Sequence, residues 1–474
     1  MARLAAKIKL IPHPRLQRAG AFFINNNPQF LDTMKVLVVG GGAREHAIAA
    51  ALKASPSGVE LYSFMSAANP GIVRISKEHA IGDICDPTAV TDWAKLKAVK
   101  LAVIGPEAPL SAGVVNALED AGILCVGPRK APAQLECDKS FCRNLMRKNK
   151  IKGTLEFGIF DNADEACRFI GDFGGDLAIK PAGLTGGKGV MIMGEHFDAE
   201  GAKKYVREIF DTRMGAIPKV VLEERLIGEE FTLQGFVDGN TVVGTPMVQD
   251  HKRAYEGDRG PNTGGMGSYS DSGYILPFLT EKDYDDGLAI MKATVKAVKK
   301  ETGEEYRGFL YGQFMATKDG VKTIEYNARL GDPEAMNIMS VLDSDMQEIC
   351  HGIGAGKLAG KIKFKPKATV CKYTVPKGYP DKPLNNVEVT VDEERINELG
   401  GHVYYASVRQ ENGKILTSKS RAVAVVGIAD TITKAEQTAE KCMPYVKGEL
   451  IYRKDIGTPQ LIQKRIEHMR LLRG

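Results

Sequence analysis

No pair of cysteines in this chain is spaced C-x-x-C. The eight, Cys85, Cys125, Cys137, Cys142, Cys167, Cys350, Cys371 and Cys442, are scattered. That argues against a disulfide frame or a zinc site and for buried thiols in a reducing compartment. Long apolar runs are missing too: none approaches the roughly 20 residues of a membrane span. There is no internal repeat and no low-complexity tract. The net charge is only +5 over 474 residues, which gives no reason to invoke nucleic acid, whose binders gather basic charge on one face. What remains is an ordinary soluble globular composition, long enough for two to four domains.

Acid is scarce at one end. Met1 to Thr33 carries several Lys and Arg and a single acid, Asp32, and then Met34 opens "MKVLVVGGG". We read 1–33 as an extension outside the fold, dispensable and arising from an upstream start. A basic, acid-poor targeting peptide is the alternative. A secretory signal is disfavoured, because no sustained apolar core follows the basic residues.

From Met34 the pattern alternates. "KVLVV" leads through Gly40-Gly41-Gly42 into "REHAIAAALKAS"; "LAVIGPEAPL" leads into "SAGVVNALEDAG"; "ILCVGP" is a third buried strand. Strands alternating with helices imply a parallel sheet with ligands at the carboxyl ends of its strands. Asp138 is placed to cap the helix "KSFCRNLMRKNK". From about Leu177 the reading is strand, glycine loop and strand, then successive strands to about 250. A long helix is predicted near 282–301, then a hairpin over 309–328. Short strands dominate from about 360 to 429, before a last helix, "TKAEQTAEKCMPYV".

Several stretches carry chemistry. "GGGAREH" lacks the third glycine of G-x-G-x-x-G, with Glu45 in its place, so a dinucleotide is doubtful. It is either a tight strand–helix turn or a phosphate site built from Gly42 and Arg44. Glu107 in "GPEAPL" serves either sugar hydroxyls or the next helix. "IKPAGLTGGKGV" offers Lys180, Lys188 and glycine amides to phosphates, yet is not a P-loop; the bland alternative is a surface hairpin. "VVLEERLIGEE" gathers Glu223, Glu224, Glu229 and Glu230, as a solvated acidic turn or as a nucleotide hinge.

The hairpin permits a geometric expectation. With "KDG" (Lys318–Gly320) as the loop, Thr317 faces Val321, and Gln313 faces Glu325 with Asn327 on the same side. Their oxygens suit a hard cation, helped by phosphates because one carboxylate alone holds it weakly; polar residues on an exposed face are the alternative. In "ARLGDPEAM", Asp332 is the expected N-cap with Pro333 in the first turn. Arg329 just upstream is placed to stabilise a phosphoryl group in transfer. The stretch "DHKRAYEGDRGPNTGGMGSY", Asp250 to Tyr269, mixes acids, bases and glycines with almost nothing to bury.

In that order, "GGGAREH", "GPEAPL", "GLTGGKGV", "DHKRAYEGDRGPNTGGMG" and "IEYNARLGDPE" resemble the glycinamide ribonucleotide synthetases, or phosphoribosylamine–glycine ligases, of the ATP-grasp superfamily. The resemblance runs from Met34 to the C-terminus. Its specific parts are the long glycine-rich stretch and R-x-G-D-P-E. It implies an α/β fold: an N-terminal parallel-sheet (pre-ATP-grasp) domain at 34–136, an ATP-grasp core at 137–360 with a mobile lid about 154–222, and a small, mainly β C-terminal domain at 361–474. It implies a cytoplasmic ligase of purine biosynthesis, a monomer or weak homodimer, with no nucleic acid or membrane partner. ATP, as co-substrate with Mg²⁺ or Mn²⁺, would activate glycine as an acyl phosphate for attack by 5-phosphoribosylamine.

By that resemblance Lys139 and Lys180 touch the ATP phosphates, Gly186, Gly187, Lys188 and Gly189 cover them, and Glu223 and Glu224 begin the adenine hinge with Glu230 at the ribose. Gln313, Glu325 and Asn327 are the metal residues. Gly42, Arg44 and Glu107 fall where the ribosylamine phosphate and sugar bind. Around the reacting centre, Asp250 holds an ammonium group, His251, Lys252 and Arg253 supply positive charge, and Asn262, Thr263, Gly264 and Gly265, on to Gly267, supply backbone donors. Asp250, Lys180 and Arg329 are the expected catalytic residues. Two positions depart from commoner family versions: Leu330 replaces an aromatic, and Pro181-Ala182 replaces Ala-Asp. Rival readings are another ATP-grasp purine ligase, a catalytically dead nucleotide-binding regulator and an NAD-dependent enzyme.

Overall fold

The computed structural model describes residues 33–185 and 189–474. Residues 1–32, which hold nearly all of the expected extension, and Gly186, Gly187 and Lys188 of the glycine loop lie outside the described residues.

The first sheet is five-stranded and wholly parallel. Met34–Val39 is central, flanked by Val59–Met65 and then Glu78–Ile81 on one side, and by Leu101–Ile104 and then Leu124–Val126 on the other. The strands ending at Val39, Ile104 and Val126 were legible as short apolar runs; Val59–Met65 and Glu78–Ile81 were not. The helix expected after Ile104 is broken in two, Glu107–Ala112 and Val114–Asp120, where Gly113 takes φ +88°, a left-handed turn that suits glycine.

Next comes an antiparallel sheet in the order Val242–Gly244, Glu229–Asp238, Arg307–Thr317, Gly320–Asn327. The 22-residue helix Glu281–Thr302 packs on it. That helix starts in a Thr280–Asp283 capping box and stops at left-handed Gly303. A second antiparallel sheet, Phe157–Phe160, Val220–Glu224, Leu177–Pro181 and Met191–Ile192, carries helices Ala163–Asp172 and Ala199–Asp211. It encloses its own apolar core, including Ile170, Ile179, Val206 and Leu222. This is the region that the sequence reading expects as the lid, and it has a private core.

The third region is mainly β, as expected, and its main sheet also takes in strands from the glycine-rich stretch. Its main sheet runs Gln249–Asp250, Gly267–Ser270, Ala368–Pro376, Val423–Ala429, Gly401–Tyr405. The two ends of the Asp250–Tyr269 stretch are therefore strands of this sheet. The last helix is not the one ending near Val446 but Pro459–Arg473, which packs back on strands Glu229–Asp238 and Arg307–Thr317.

Two local expectations are corrected. The hairpin loop is Lys318-Asp319, with Thr317 opposite Gly320, one residue shorter than expected. The pairing of Gln313 with Glu325 nevertheless holds. Phe314 faces Thr323 and Gln313 faces Glu325, so Ile324 is an extra, bulged residue that absorbs the difference. Asp332 is not an N-cap. The helix begins at Glu334 after Pro333 with no side-chain cap, because the Asp332 carboxylate is taken by the Tyr373 hydroxyl at 2.6 Å and by Arg421.

Candidate active site

Three lysines converge on one carboxylate, Glu325. Lys139 opens the helix Lys139–Lys148, whose N-cap Asp138 accepts from the amides of Ser140 and Phe141. Its ammonium donates to the Gly183 carbonyl at 2.9 Å, and burial holds it below the ordinary lysine range in spite of nearby Glu325. Lys180, on the lid, pairs with Glu223 at 2.7 Å and donates to the Ile324 carbonyl at 3.3 Å. Lys252, from the glycine-rich stretch, is held charged: burial opposes this, but Glu230, Glu325, Asp250 and Glu334 outweigh it. The same lysines, led by Lys252, hold Glu325 below the usual carboxylate range against the opposing effect of burial. A carboxylate ringed by ammonium groups is a site for a phosphate chain accompanied by a cation.

The expected cation ligands share one face. Gln313 is 2% exposed, and its Oε1 is buried without a hydrogen-bond partner, while its Nε2 donates to Glu230 at 2.6 Å. Asn327 accepts from Arg329 at 3.3 Å. No cluster of three His, Cys, Asp or Glu occurs among the described residues. An orphaned amide oxygen opposite the Glu325 carboxylate fits a hard cation that arrives with phosphates, and does not fit an all-protein cage.

Of the hinge residues, Glu223 is 1% exposed and its carboxylate is committed to Arg143 and Lys180. Burial pushes it up, but those two cations bring it down to about 2. Its side chain therefore orients Lys180, and only its backbone is left for a base. Glu224 accepts from the Glu156 amide. Glu230 accepts from Gln313 Nε2 at 2.6 Å and lies 3.8 Å from Lys252. Buried Gly189 follows the glycine loop, its carbonyl accepting from Tyr205 at 3.0 Å.

Arg329 sits between two carboxylates, Glu107 at 3.4 Å and Glu136 at 3.1 Å. Burial pushes Glu107 up, but Arg329 and Arg44 outweigh it and leave it ionised. Glu136 goes the other way: burial raises it to about 7, and Arg329 offsets this only in part. Arg44 is buried, donating to Glu45 at 2.5 Å and to the Leu330 carbonyl at 3.2 Å. Glu45 also accepts from the Gly42 amide at 2.7 Å. A Cβ on Gly40, Gly42 or Gly105 would strike this carboxylate. Glu45 thus fills the space that the missing glycine leaves open in a dinucleotide turn, which disfavours the NAD reading on steric grounds.

The glycine-rich stretch behaves differently from expectation. His251 supplies no charge: it is 1% exposed, hydrogen-bonded through Nδ1 to Asp258 at 3.1 Å, and lowered by burial and the arginines Arg465 and Arg453. Nor are the amides mainly offered to a ligand. Thr263 N donates to Lys252 O, Gly265 N to Thr263 Oγ1, and Met266 N to His251 O. Asn262 pairs with Arg253 in a short ribbon. Arg253 meets Glu195 of the lid and the Gly260 carbonyl. What the glycines supply is close approach: the Gly264 carbonyl accepts from Arg421 at 2.6 Å, and a Cβ on Gly265, at φ +106°, would come within 2.7 Å of Asp250 Oδ1. That Oδ1 has no partner, and burial together with Glu334 pushes the Asp250 carboxyl well above its ordinary range. Lys252 and Arg421 oppose that rise without overcoming it, and the unpartnered oxygen is left for a ligand's ammonium group.

Sequence reasoning missed Arg143, Glu136 and Glu45, and quoted Glu334 without a role. Glu334 accepts from the Tyr311 hydroxyl at 2.9 Å in the same site. Arg143 had a signal: it lies four residues after Lys139 in one helix, hence on the same face.

A nucleotide-lid, a lysine-ringed carboxylate and an antiparallel floor define an ATP-dependent ligase of the ATP-grasp class. Three family profiles match: "Phosphoribosylglycinamide synthetase, N domain" over 34–136, its "ATP-grasp (A) domain" over 137–335, and its "C domain" over 369–459. The chain belongs to this phosphoribosylglycinamide synthetase family. It is 53% identical over 446 residues to a phosphoribosylamine–glycine ligase of Methanocaldococcus jannaschii, and 51% over 447 residues to one of Methanopyrus kandleri. Each match covers 93% of this chain and 100% of the relative. The crystal structure of phosphoribosylamine–glycine ligase from Thermotoga maritima superposes with TM-score 0.75 at 29% identity, over 89% of this chain and 100% of that one.

Proposed function

We propose that the chain joins glycine to 5-phosphoribosylamine, giving glycinamide ribonucleotide, ADP and phosphate through a glycyl phosphate, in de novo purine synthesis. The observation that carries this reading is the meeting of the three lysines and Glu325 with the unpartnered Asp250 in one site.

In this reading Lys139 and Lys180 hold the ATP phosphates under the lid. Glu325, Gln313 and Asn327 would hold Mg²⁺ or Mn²⁺, which when bound offsets the charge of the phosphates. Asp250 takes the glycine ammonium and so presents the glycine carboxylate to the γ-phosphorus. Attack there forms the acyl phosphate and releases ADP, with Lys252 and Arg329 facing the charge that develops. Arg329 is pre-aimed, because Glu107 and Glu136 clamp it from two sides. Arg44, Gly42 and Glu107 lie where the ribosylamine enters, and its amine displaces phosphate from the acyl carbon.

A monomer or weak homodimer belongs to the same reading. Free cysteines suit the cytoplasm. No helix among the described residues is long and apolar enough to cross a membrane. The domain boundaries at 136 and 360, the lid limits and the dispensability of 1–33 belong to the same proposal. A coupled ADP-release assay tests it. ADP should form only with glycine and freshly made phosphoribosylamine together. Equal release with bicarbonate or formate in place of glycine would favour another ATP-grasp ligase.

A further inference from the structure

Arg143 heads the largest fully buried side chains, at 2% exposure. Its Nε and Nη2 donate to the two Glu223 oxygens at 2.6 and 2.9 Å, and Nη2 also reaches the Ile324 carbonyl at 2.6 Å. Lys180 uses the same two acceptors, Glu223 at 2.7 Å and Ile324 O at 3.3 Å. One guanidinium therefore ties together the helix of Lys139, the lid strand Val220–Glu224 and the floor strand Gly320–Asn327. Buried ion pairs of this kind are poor sources of stability, since desolvation consumes most of the attraction. Their geometry is what they supply.

That geometry is directed at the nucleotide site. Ile324 is the bulged residue, immediately before Glu325. Pinning its carbonyl fixes the peptide from which the Glu325 side chain departs. Filling both oxygens of Glu223 leaves Lys180 one bearing toward the site. We infer that Arg143 is a positioning residue that sets two parts of the site at once: the Lys180 ammonium through Glu223, and the Glu325 carboxylate through the Ile324 carbonyl. This rests on the reading of Lys180 and Glu325 as nucleotide and cation residues given above.

Arg143→Lys keeps the charge and loses the planar fork; Glu223→Gln keeps the shape and loses the shared acceptor charge. Both are compared with wild type in the full chain, with folding checked by circular dichroism and ADP binding measured by calorimetry across a Mg²⁺ series. Folded Arg143→Lys should bind ADP about tenfold or more weakly and need more Mg²⁺ for half-maximal binding, with the KM for glycine unchanged. Where Arg143→Lys does not fold, Glu223→Gln is read by the same measures. Wild-type ADP affinity and Mg²⁺ requirement in whichever variant folds would show that Arg143 only packs, and would overturn the inference alone. A wild-type chain that binds no ADP overturns the nucleotide reading, and the inference with it.

Discussion

Gln313 and Glu325 face each other because Ile324 is one residue too many in its strand. The Lys318-Asp319 turn alone would set Gln313 against Ile324 and turn Glu325 to the other face. The bulge restores the pair and frees a carbonyl for two cations. Glu325→Gln keeps the side-chain shape and removes the only formal charge among the cation ligands. It should lower turnover at least about a hundredfold. Gln313→Ala should be milder and partly rescued by excess Mg²⁺, since water can replace a neutral ligand. Metal titration of activity checks both, and wild-type turnover in Glu325→Gln would remove this hairpin from the catalytic account.

Gly265 leaves room for Asp250. A methyl group there would meet Asp250 Oδ1 at 2.7 Å and Pro333 Cδ at 2.6 Å, on a backbone at φ +106°. Gly265→Ala should raise the KM for glycine at least about tenfold while the KM for ATP changes little, for a strain of about 1–3 kcal/mol. Steady-state kinetics in each substrate decide it; equal rises in both would indicate general loosening of the site.

Glu136 should give the folded chain a pH slope. It titrates near 7 against 4.5 for a free glutamate, chiefly through burial. A raised pKa means the proton is held more tightly when folded. The stabilisation is complete below about 4.5 and is lost as pH rises through 7. Glu136→Gln, neutral throughout, lacks that slope. Between pH 4.5 and 8 the denaturant-derived stability of wild type should fall relative to the variant by on the order of 3 kcal/mol. Parallel curves would contradict the buried-carboxyl assignment.

The final helix braces the nucleotide strand. Arg465 and His468 pair with Glu229, and Arg473 pairs with Asp283 at 2.8 Å. Arg465→Met should lower the melting temperature and leave Glu229 buried without its main cation, at a cost of about 3 kcal/mol. An unchanged melting temperature would show that the helix rests on the body without supporting it.

The alternating strands and helices of the first sheet, the Asp138 cap, the strand pair Leu177–Pro181 and Met191–Ile192, and the Gln313–Glu325 pair were legible because each depends on neighbours in sequence. Val59–Met65 was missed because "VELYSFM" mixes polar and apolar residues, and Glu78–Ile81 because it is a short, mostly exposed edge. The helix Pro459–Arg473 announced itself only by Pro459 in its first turn, and its charged surface hid the contacts it makes. The site's electrostatics were the least legible part. His251 looks cationic beside Lys252 and Arg253, and only burial against Arg453 and Arg465, about 200 residues away, makes it neutral. Arg143 and Glu223 are 80 residues apart, a pairing that local pattern does not contain.

The central claim is that glycine's carboxylate attacks ATP. Glycine labelled with ¹⁸O in both carboxyl oxygens tests it most directly, in a reaction with phosphoribosylamine and unlabelled ATP. The account predicts one labelled oxygen in each phosphate released and one retained in the amide, because the acyl oxygen leaves with the phosphoryl group. Phosphate free of label would contradict the glycyl phosphate and require a different use of this site.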